Sequence, residues 1–194
     1  MPPRTRKHDQ KERIRRKAAQ LFARNGYHGT GMQALSDAVG LGRGALYHHI
    51  GSKEALFEDV STRHVREMID IGERILRDDV PAEEKLRRLS RAQMRTLADH
   101  LPEWTIFQRD ATMLDGPVRR RIVATRDRFE RVWAAVIEQG VARGEFRELD
   151  PVAIKGLLGM YNYGYLWIRP RGRLSPEELA DTFCDILLVG IRRR

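Results

Sequence analysis

The side chains best suited to chemistry are hydrogen-bond donors that cluster between residues 43 and 53. They are Arg43, Tyr47, His48 and Lys53. A guanidinium group can donate two parallel hydrogen bonds to a guanine, the commonest base-specific contact of proteins on DNA. Phenol, imidazole and ammonium groups can donate to phosphate oxygens, which position a protein on a duplex without reading its sequence. The donors therefore indicate a polyanionic partner rather than a reaction.

The residues that usually carry catalysis or bind metals form no recognisable constellation. The six histidines are scattered, and the adjacent pair His48 and His49 would point about 100° apart on a helix, which makes them poor joint metal ligands. Cys184, the only cysteine, lies on the apolar stripe of the last predicted helix and is predicted to be a buried small hydrophobe. We expect no catalytic residue, no metal site and no cofactor. An enzyme with a basic substrate-docking arm remains the main alternative.

The positive charge is concentrated in the N-terminal part of the chain. The formal net charge is +9, and residues 1–57 hold eleven Lys and Arg against four Asp and Glu. Residues 58–194 are close to neutral. Such asymmetry indicates a polyanion such as nucleic acid as the partner of the first segment. No apolar run is long enough for a membrane span or a secretory signal, so we expect the protein in the cytoplasm.

Two short helices must hold the donor cluster in place. Apolar spacing predicts one helix from Thr30 to Val39, a break at Gly40, and a second helix from Arg43 to about Ile50. The residues predicted to form the small core of this segment are Leu35, Val39, Leu46 and Phe57. Two short helices joined by a tight turn that contains glycine are typical of a helix-turn-helix, whose second helix enters the major groove. Gly44 and Ala45 are small, so the backbone of that second helix can approach the base edges.

The rest of the chain also shows helical periodicity, which predicts an all-α fold of about nine helices. A first helix over about 8–25 ends at Asn25-Gly26, and Ser52 caps a long fourth helix. The last two helices are predicted over about 150–168 and 175–191. Ser175, Pro176 and Glu178 form a capping signal that makes the start of the final helix secure.

The donor cluster and its surroundings resemble the DNA-binding domain of the TetR family. The resemblance rests on the stretch Ile14–Phe57, which includes Gly26-Tyr27-His28-Gly29-Thr30, Leu46-Tyr47-His48-His49 and Ser52-Lys53-Glu54-Ala55-Leu56-Phe57. Chain length and a basic first module followed by about six amphipathic helices also suit the family. The resemblance implies a helix-turn-helix domain over residues 1–57 and a ligand-binding and dimerisation domain over residues 58–194.

By that resemblance, specific positions are expected to contact DNA. Arg43, Gly44 and Ala45 fall where members contact bases, whereas Thr30, Tyr47, His48 and Lys53 fall where they contact phosphates. The amides of Gly31 and Met32 begin a helix and can bind a phosphate, although the family often has a hydroxyl residue at the position of Gly31. Arg4 and Arg6 are expected to form an arm on the DNA backbone or in the minor groove.

The second domain is expected to bind a hydrophobic effector and to form a homodimer. Its aromatic residues are candidates for the pocket, and the segment from Trp167 to Gly172 is similar to the corresponding part of TetR-like regulators that respond to acyl-CoA thioesters. Arg109, Arg169 and Arg171 are candidates for holding phosphates, although a solvated surface is the favoured interpretation of each. The expected ligand-binding set is Trp104, Phe107, Phe129, Trp133, Tyr163, Trp167 and Arg169. The expected dimerisation set is Leu157, Leu158, Tyr161, Leu179, Phe183, Ile186 and Leu187.

Together these features predict a repressor that binds a palindromic operator as a dimer and is released by a hydrophobic small molecule. An acyl-CoA thioester is one candidate for that molecule. A non-specific architectural DNA-binding protein is a further alternative, but the recognition helix and the large near-neutral domain argue against it.

Overall fold

The computed structural model describes residues 6–110, 114–169 and 172–192. Regular structure within these ranges is helical, apart from one isolated bridge between Phe146 and Arg192. The α-helices are α1 (Arg6–Gly29), α2 (Met32–Val39), α3 (Arg43–Ile50), α4 (Lys53–Arg77), α5 (Ala82–Asp99), α6 (Leu101–Arg109), α7 (Gly116–Ala142), α8 (Val152–Asn162) and α9 (Pro176–Ile191). The predicted all-α class is therefore confirmed.

The described residues divide into two compact units. The first contains those within Met1–Arg63 and Pro102–Val123, and the second those within His64–Leu101 and Ala124–Arg194. The unit boundaries fall inside α4 and α7. The functional boundary predicted at residues 57 and 58 stays a prediction. In the structure, α6 belongs to the first unit rather than to the second.

In the first unit, α1 is amphipathic and bends at Gly26. Its inner face buries Ile14, Ala18 and Phe22. Gly26 has φ 73° and ψ 170°, a conformation that side chains rarely adopt, and helical turns resume as far as Gly29. The predicted stop at Asn25-Gly26 is therefore a bend, because one further turn follows it.

The turn between α2 and α3 depends on a second glycine. Gly40 has φ 61°, and its amide donates to the carbonyl oxygens of Asp37 and Ser36, which closes α2. Leu35, Val39 and Leu46 are buried beside this turn, as the sequence predicts for the small core. The two helices thus pack through a few apolar residues and leave their other faces free.

The second unit is organised around antiparallel packing of α5 and α9. Three ion pairs run along their contact: Arg87 to Asp185 at 2.7 Å, Arg91 to Asp181 at 2.7 Å, and Arg95 to Glu177 at 2.6 Å. The arginines recur every four residues, so they share one face of α5. The acids descend in steps of four along α9, which fixes the register of the two helices.

The ends of α8 and α9 show how local and distant contacts set a boundary. Ser175 caps α9 by accepting from the amide of Glu178, whose carboxylate accepts from the amide of Ser175, so the predicted capping box is confirmed. The helix predicted to reach 168 instead ends at Asn162 and continues as a 3₁₀ turn over Tyr163–Leu166. Gly164 lies in that turn, where an added Cβ would be 3.3 Å from Leu97 of α5.

No helix of the described ranges combines the length and the apolar character needed to cross a membrane.

Candidate nucleic-acid interface

One face of α3 presents the donors that the sequence singles out. Arg43, Gly44, Tyr47 and His48 are exposed, and Leu46 alone points into the core. Positions i, i+1, i+4 and i+5 lie on the same side of a helix, so these four form one continuous surface. Within the described part of the chain, the Arg43 guanidinium forms no ion pair. It is therefore available to a partner outside the protein.

Small residues keep the start of this surface open. Gly42 precedes α3 as its N-cap without a side-chain hydrogen bond. A Cβ added at Gly42 or Gly44 would meet no heavy atom within 4 Å. Neither glycine is needed for packing within the chain. The open space suits the close approach of another molecule's surface to the first turn of the helix.

Lys53 is positioned by an aromatic ring at the start of α4. Its ammonium nitrogen lies 4.3 Å from the centroid of the Tyr27 ring, a cation–π contact. The Tyr27 hydroxyl donates to Glu54 at 2.8 Å. Hydrogen bonds from its own amide, from Tyr27 and from Ser52 lower the pKa of the Glu54 carboxyl. Burial lowers the pKa of the Lys53 ammonium, and the charge of Glu54 opposes that shift.

Thr30 does not face outward as expected. It is fully buried, and its hydroxyl donates to the carbonyl oxygen of Gly26 at 2.8 Å. The expected phosphate contact of Thr30 does not fit this geometry, because the hydroxyl stabilises the bend of α1 instead. Gly31 is exposed and forms the N-cap of α2 without a side-chain hydrogen bond. The amides of the first turn, which begins at Met32, remain the candidates for a phosphate contact there.

Two arginines of α1 act inside the unit, a role that the sequence analysis missed. Arg13 donates to the carbonyl oxygen of Val39 at 2.6 Å, at the C-terminal end of α2. Arg15 pairs with Asp59 of α4 at 2.6 Å and with Glu12 at 2.5 Å. Both arginines flank Ile14 of the apolar face, and that spacing does not predict a partner on another helix. These charges hold helices together and do not add to a DNA-binding surface.

The expected basic arm cannot be placed. Arg4 lies outside the described residues, and Arg6 is the first residue of α1.

Two family models match this chain. A family model described as "Bacterial regulatory proteins, tetR family" matches residues 14–60. A second model, "Tetracyclin repressor-like, C-terminal domain", matches residues 79–191, more than half of the chain. The chain belongs to the TetR family. It is a DNA-binding transcriptional regulator of that family, which favours the regulator over the enzyme and the architectural protein as the interpretation of its sequence.

The similarity to other TetR-family proteins extends over nearly the whole chain. The HTH-type transcriptional repressor KstR2 of Mycolicibacterium smegmatis is 29% identical over 177 residues, 90% of this chain and 86% of that protein. The crystal structure of the TetR-family regulator PfmR from Thermus thermophilus has 36% identity and a TM-score of 0.83, covering 93% of this chain and all of that one. AibR, in complex with isovaleryl coenzyme A and operator DNA, has 27% identity and a TM-score of 0.79, covering 91% and 97% of the two chains.

The residues expected to bind a ligand differ in burial and come from both units. Trp104 and Phe107 are buried in the first unit, with ring centroids 6.0 Å apart. Phe129 and Trp133 are buried on α7 in the second unit, and Tyr163, Trp167 and Arg169 are exposed. Arg171 lies outside the described residues. Four of the seven residues are therefore buried, and three lie at the surface.

Arg109 has a partner that sequence reasoning did not foresee. Its guanidinium donates to the carbonyl oxygens of Phe22 and Ala23, each at 2.9 Å, and pairs with Asp110 at 2.5 Å. These carbonyls lie just before the bend of α1 at Gly26. Arg109 therefore anchors the end of α6 to α1, and its expected phosphate role does not fit this arrangement.

The residues expected at a dimer interface divide into two groups. Leu157, Leu158 and Tyr161 are buried within a single chain, so they cannot form an exposed face. Leu179, Phe183 and Leu187 are half-buried, and Ile186 is exposed. Large apolar side chains that the sequence analysis did not assign to an interface are 64–88% exposed on or beside α8 and α9, namely Val152, Tyr163 and Val189.

Proposed function

We propose that this TetR-family protein is a repressor that binds a palindromic operator as a homodimer, and that a hydrophobic effector in its second unit releases it. The observation that carries the proposal is the exposed face of α3, with Arg43 unpaired among the described residues and Leu46 buried behind it. Because DNA is its target, we place its action in the bacterial cytoplasm. Residues 1–57 then supply DNA binding, and residues 58–194 supply effector binding and dimerisation.

The roles along the DNA surface follow from side-chain chemistry. Arg43 reads a guanine through two parallel hydrogen bonds, while Gly44 and Ala45 allow the helix to approach the base edges. Tyr47, His48 and Lys53 donate to phosphate oxygens, as do the first amides of α2 after Gly31. Thr30 is left out because its hydroxyl is buried. Arg4 and Arg6 remain candidates for an arm along the backbone.

The proposed dimer interface is the outward face of α8 and α9. Ile186 and Val189 of α9 are exposed by 61% and 88%. A Cβ added at Gly156, Gly159 or Gly190 would meet no heavy atom within 4 Å. Exposed apolar side chains next to open glycines let a helix from a second copy approach closely and bury that surface. A homodimer would match the two-fold symmetry of a palindromic operator.

The proposed effector is a bulky hydrophobic molecule, with an acyl-CoA thioester as the leading candidate. AibR, which shares the fold over most of its length, binds isovaleryl coenzyme A. Phe129 and Trp133 of the expected set lie in the apolar core of the second unit. The exposed Trp167 and Arg169 remain candidates for contacts with the nucleotide part of such a ligand. Effector binding would act on the long helix α4, which contains residues of both units. A coupling of about 1–3 kcal/mol is enough to change operator affinity about 5- to 150-fold.

The first experiment measures fluorescence anisotropy of labelled DNA from just upstream of the protein's own gene, against random competitor, with and without long-chain acyl-CoA. Selective binding that the thioester abolishes is the expected result. Selective binding that persists with every acyl-CoA tested would refute an acyl-CoA thioester as the effector. Absence of selective binding to any genomic fragment would refute the proposal that the protein is a repressor.

A matched pair of variants tests the base-reading role. Arg43→Ala should cost about 1–3 kcal/mol of affinity for the operator and less for random DNA. Arg74→Ala removes an exposed arginine of α4 in the second unit and should leave both affinities unchanged. Equal losses on operator and random DNA for Arg43→Ala would assign Arg43 to the phosphates instead.

A further inference from the structure

A cluster of buried polar side chains lies inside the second unit, where α5 meets α8. Ser90 of α5 and Tyr161 of α8 share a hydrogen bond of 2.8 Å between their hydroxyl oxygens, and Ser90 also donates to the carbonyl oxygen of Leu86 at 2.7 Å. One turn further along α5, the amide nitrogen of Gln93 donates to the side-chain oxygen of Asn162 at 2.9 Å. Ser90 and Gln93 are fully buried. Such a cluster inside an apolar core must serve folding, binding or both.

Two polar atoms in this region have no hydrogen-bond partner among the described residues. They are the side-chain oxygen of Gln93 and the indole nitrogen of Trp133, and neither reaches solvent. Trp133 belongs to the same region, because its ring centroid lies 4.9 Å from that of Tyr161. Leaving a buried donor or acceptor unsatisfied costs about 1–3 kcal/mol. The core therefore carries one free acceptor and one free donor at an energetic cost.

The neighbouring side chains are apolar. Met94 and Leu97, on the same helix as Gln93, lie within 3.7 Å of the position that a Cβ on Gly164 would occupy. In surroundings of low polarity a hydrogen bond is stronger than in water, and an unmatched polar group is more costly. Gln93 and Trp133 can therefore discriminate sharply between ligands that differ in one polar group.

We propose that the effector of this protein is a hydroxylated acyl thioester, held in the second unit by Trp133 and Gln93. The indole N–H of Trp133 donates to the thioester carbonyl oxygen, and the ligand hydroxyl donates to the side-chain oxygen of Gln93. The acyl chain occupies the apolar surroundings of Met94 and Leu97. This inference rests on the proposed function, since it specifies the chemistry of the effector.

The two residues have separable effects on affinity. Every acyl thioester has a carbonyl oxygen, so Trp133 contributes to the binding of all of them. Only a hydroxylated chain satisfies Gln93, whose oxygen stays unpaired when an unsubstituted chain binds. Sites built around a ligand hydroxyl reject the analogue that lacks it. We expect the hydroxylated ligand to bind at least about tenfold more tightly.

Isothermal titration calorimetry of the full chain with matched ligands tests this. The probes are 3-hydroxyacyl-CoA and acyl-CoA pairs with four, eight and twelve carbons in the chain. The unchanged protein should prefer the hydroxylated member by about tenfold or more at the length that binds best. Gln93→Met keeps the length of the side chain but removes its amide, and with it both the acceptor and the hydrogen bond to Asn162. Because the acceptor is lost, the preference should fall to within about twofold.

Two further variants make the test specific. Trp133→Phe should weaken both members of a pair by a similar factor, because the carbonyl group is common to them. Gln33→Met is the matched control, since Gln33 is exposed in the first unit and, among the described residues, its side chain donates a hydrogen bond to Asp37 at 2.9 Å. It should leave both affinities unchanged. Circular dichroism melting checks that each variant folds.

The outcomes separate the inference from the proposed function. Equal affinity of the unchanged protein for both members of every pair overturns the inference, whether or not Gln93→Met folds, and leaves an acyl-CoA effector in place. A tenfold preference that survives in a folded Gln93→Met also overturns it. Failure of every thioester to bind overturns the inference together with the acyl-CoA part of the proposed function. Selective operator binding, measured separately, would still support the repressor.

Discussion

Two pairs of glycines, one pair in each unit, serve opposite purposes. In the second unit, a Cβ on Gly72 would overlap the side chain of Val132, and one on Gly140 would overlap the ring of Phe146. In the first unit, Gly42 and Gly44 face open space at the start of α3. Gly72 and Gly140 allow side chains of the second unit to come into contact. Gly42 and Gly44 instead stay open on the surface proposed for DNA, so the same residue type serves internal packing in the first pair and the approach of a partner in the second.

The largest expected effect comes from replacing a glycine that is needed for packing. Gly140→Ala should lower the free energy of unfolding by about 3 kcal/mol, because the buried Phe146 ring must move to admit a methyl group. Chemical denaturation measures the change. Glu138→Ala is the control, since Glu138 is an exposed residue of the same helix, α7. Equal stability of Gly140→Ala and the unchanged protein would mean that Gly140 is not a packing glycine.

The second effect concerns a buried histidine of the second unit. Burial, and then the charge of nearby His100, lower the pKa of His64 to about 3. His64 stays neutral in the folded chain, whereas in the unfolded chain it takes up a proton below about pH 6.5. Its contribution to stability is therefore complete above pH 6.5 and is lost as the pH falls from there toward 3.

At pH 5 this linkage should cost about 2 kcal/mol of stability relative to pH 7. Denaturation midpoints between pH 7 and 5 measure it. His64→Leu should remove that part of the slope, while His8→Gln, which changes an exposed histidine of α1, should keep it. A slope unchanged in His64→Leu would assign the pH dependence to other groups.

A smaller effect tests the corrected position of Thr30. Thr30→Val keeps the shape of the side chain but removes the hydrogen bond to Gly26, so the free energy of unfolding should fall by about 1 kcal/mol. The salt dependence of DNA binding should not change, because no phosphate contact is lost. A shallower salt slope with unchanged stability would return Thr30 to the DNA surface.

The smallest effect on stability comes from replacing a glycine that faces open space. Gly44→Ala should leave the fold unharmed or stabilise α3 by less than about 1 kcal/mol, since alanine is the better helix former and space is open. Operator affinity should nevertheless fall, because the added methyl group lies on the surface proposed to meet the bases. Anisotropy and denaturation on the same sample measure both. Unchanged operator affinity would remove Gly44 from that surface.

Local signals predicted much of the first unit and the ends of several helices. Gly40, with its positive φ, and the capping box at Ser175 act over four residues or fewer, so their types and spacing are enough to predict a turn or a cap. Apolar periodicity likewise identified Leu35, Val39 and Leu46 as core. The exposed donors of α3 followed from the same spacing, because the face opposite a buried leucine must point outward.

Helical periodicity does not reveal whether the same chain or another molecule covers an apolar face. It also does not reveal which group pairs with a charged side chain. Leu157, Leu158 and Tyr161 are as periodic as interface residues, but their own chain covers them. Arg109 is engaged by carbonyl oxygens 86 and 87 positions earlier in the chain, and Arg87 pairs with an acid 98 positions later. Backbone preferences over one helical turn determine where these helices begin and bend. Contacts between residues far apart in the chain determine which side chains are left for DNA, for an effector or for a second copy.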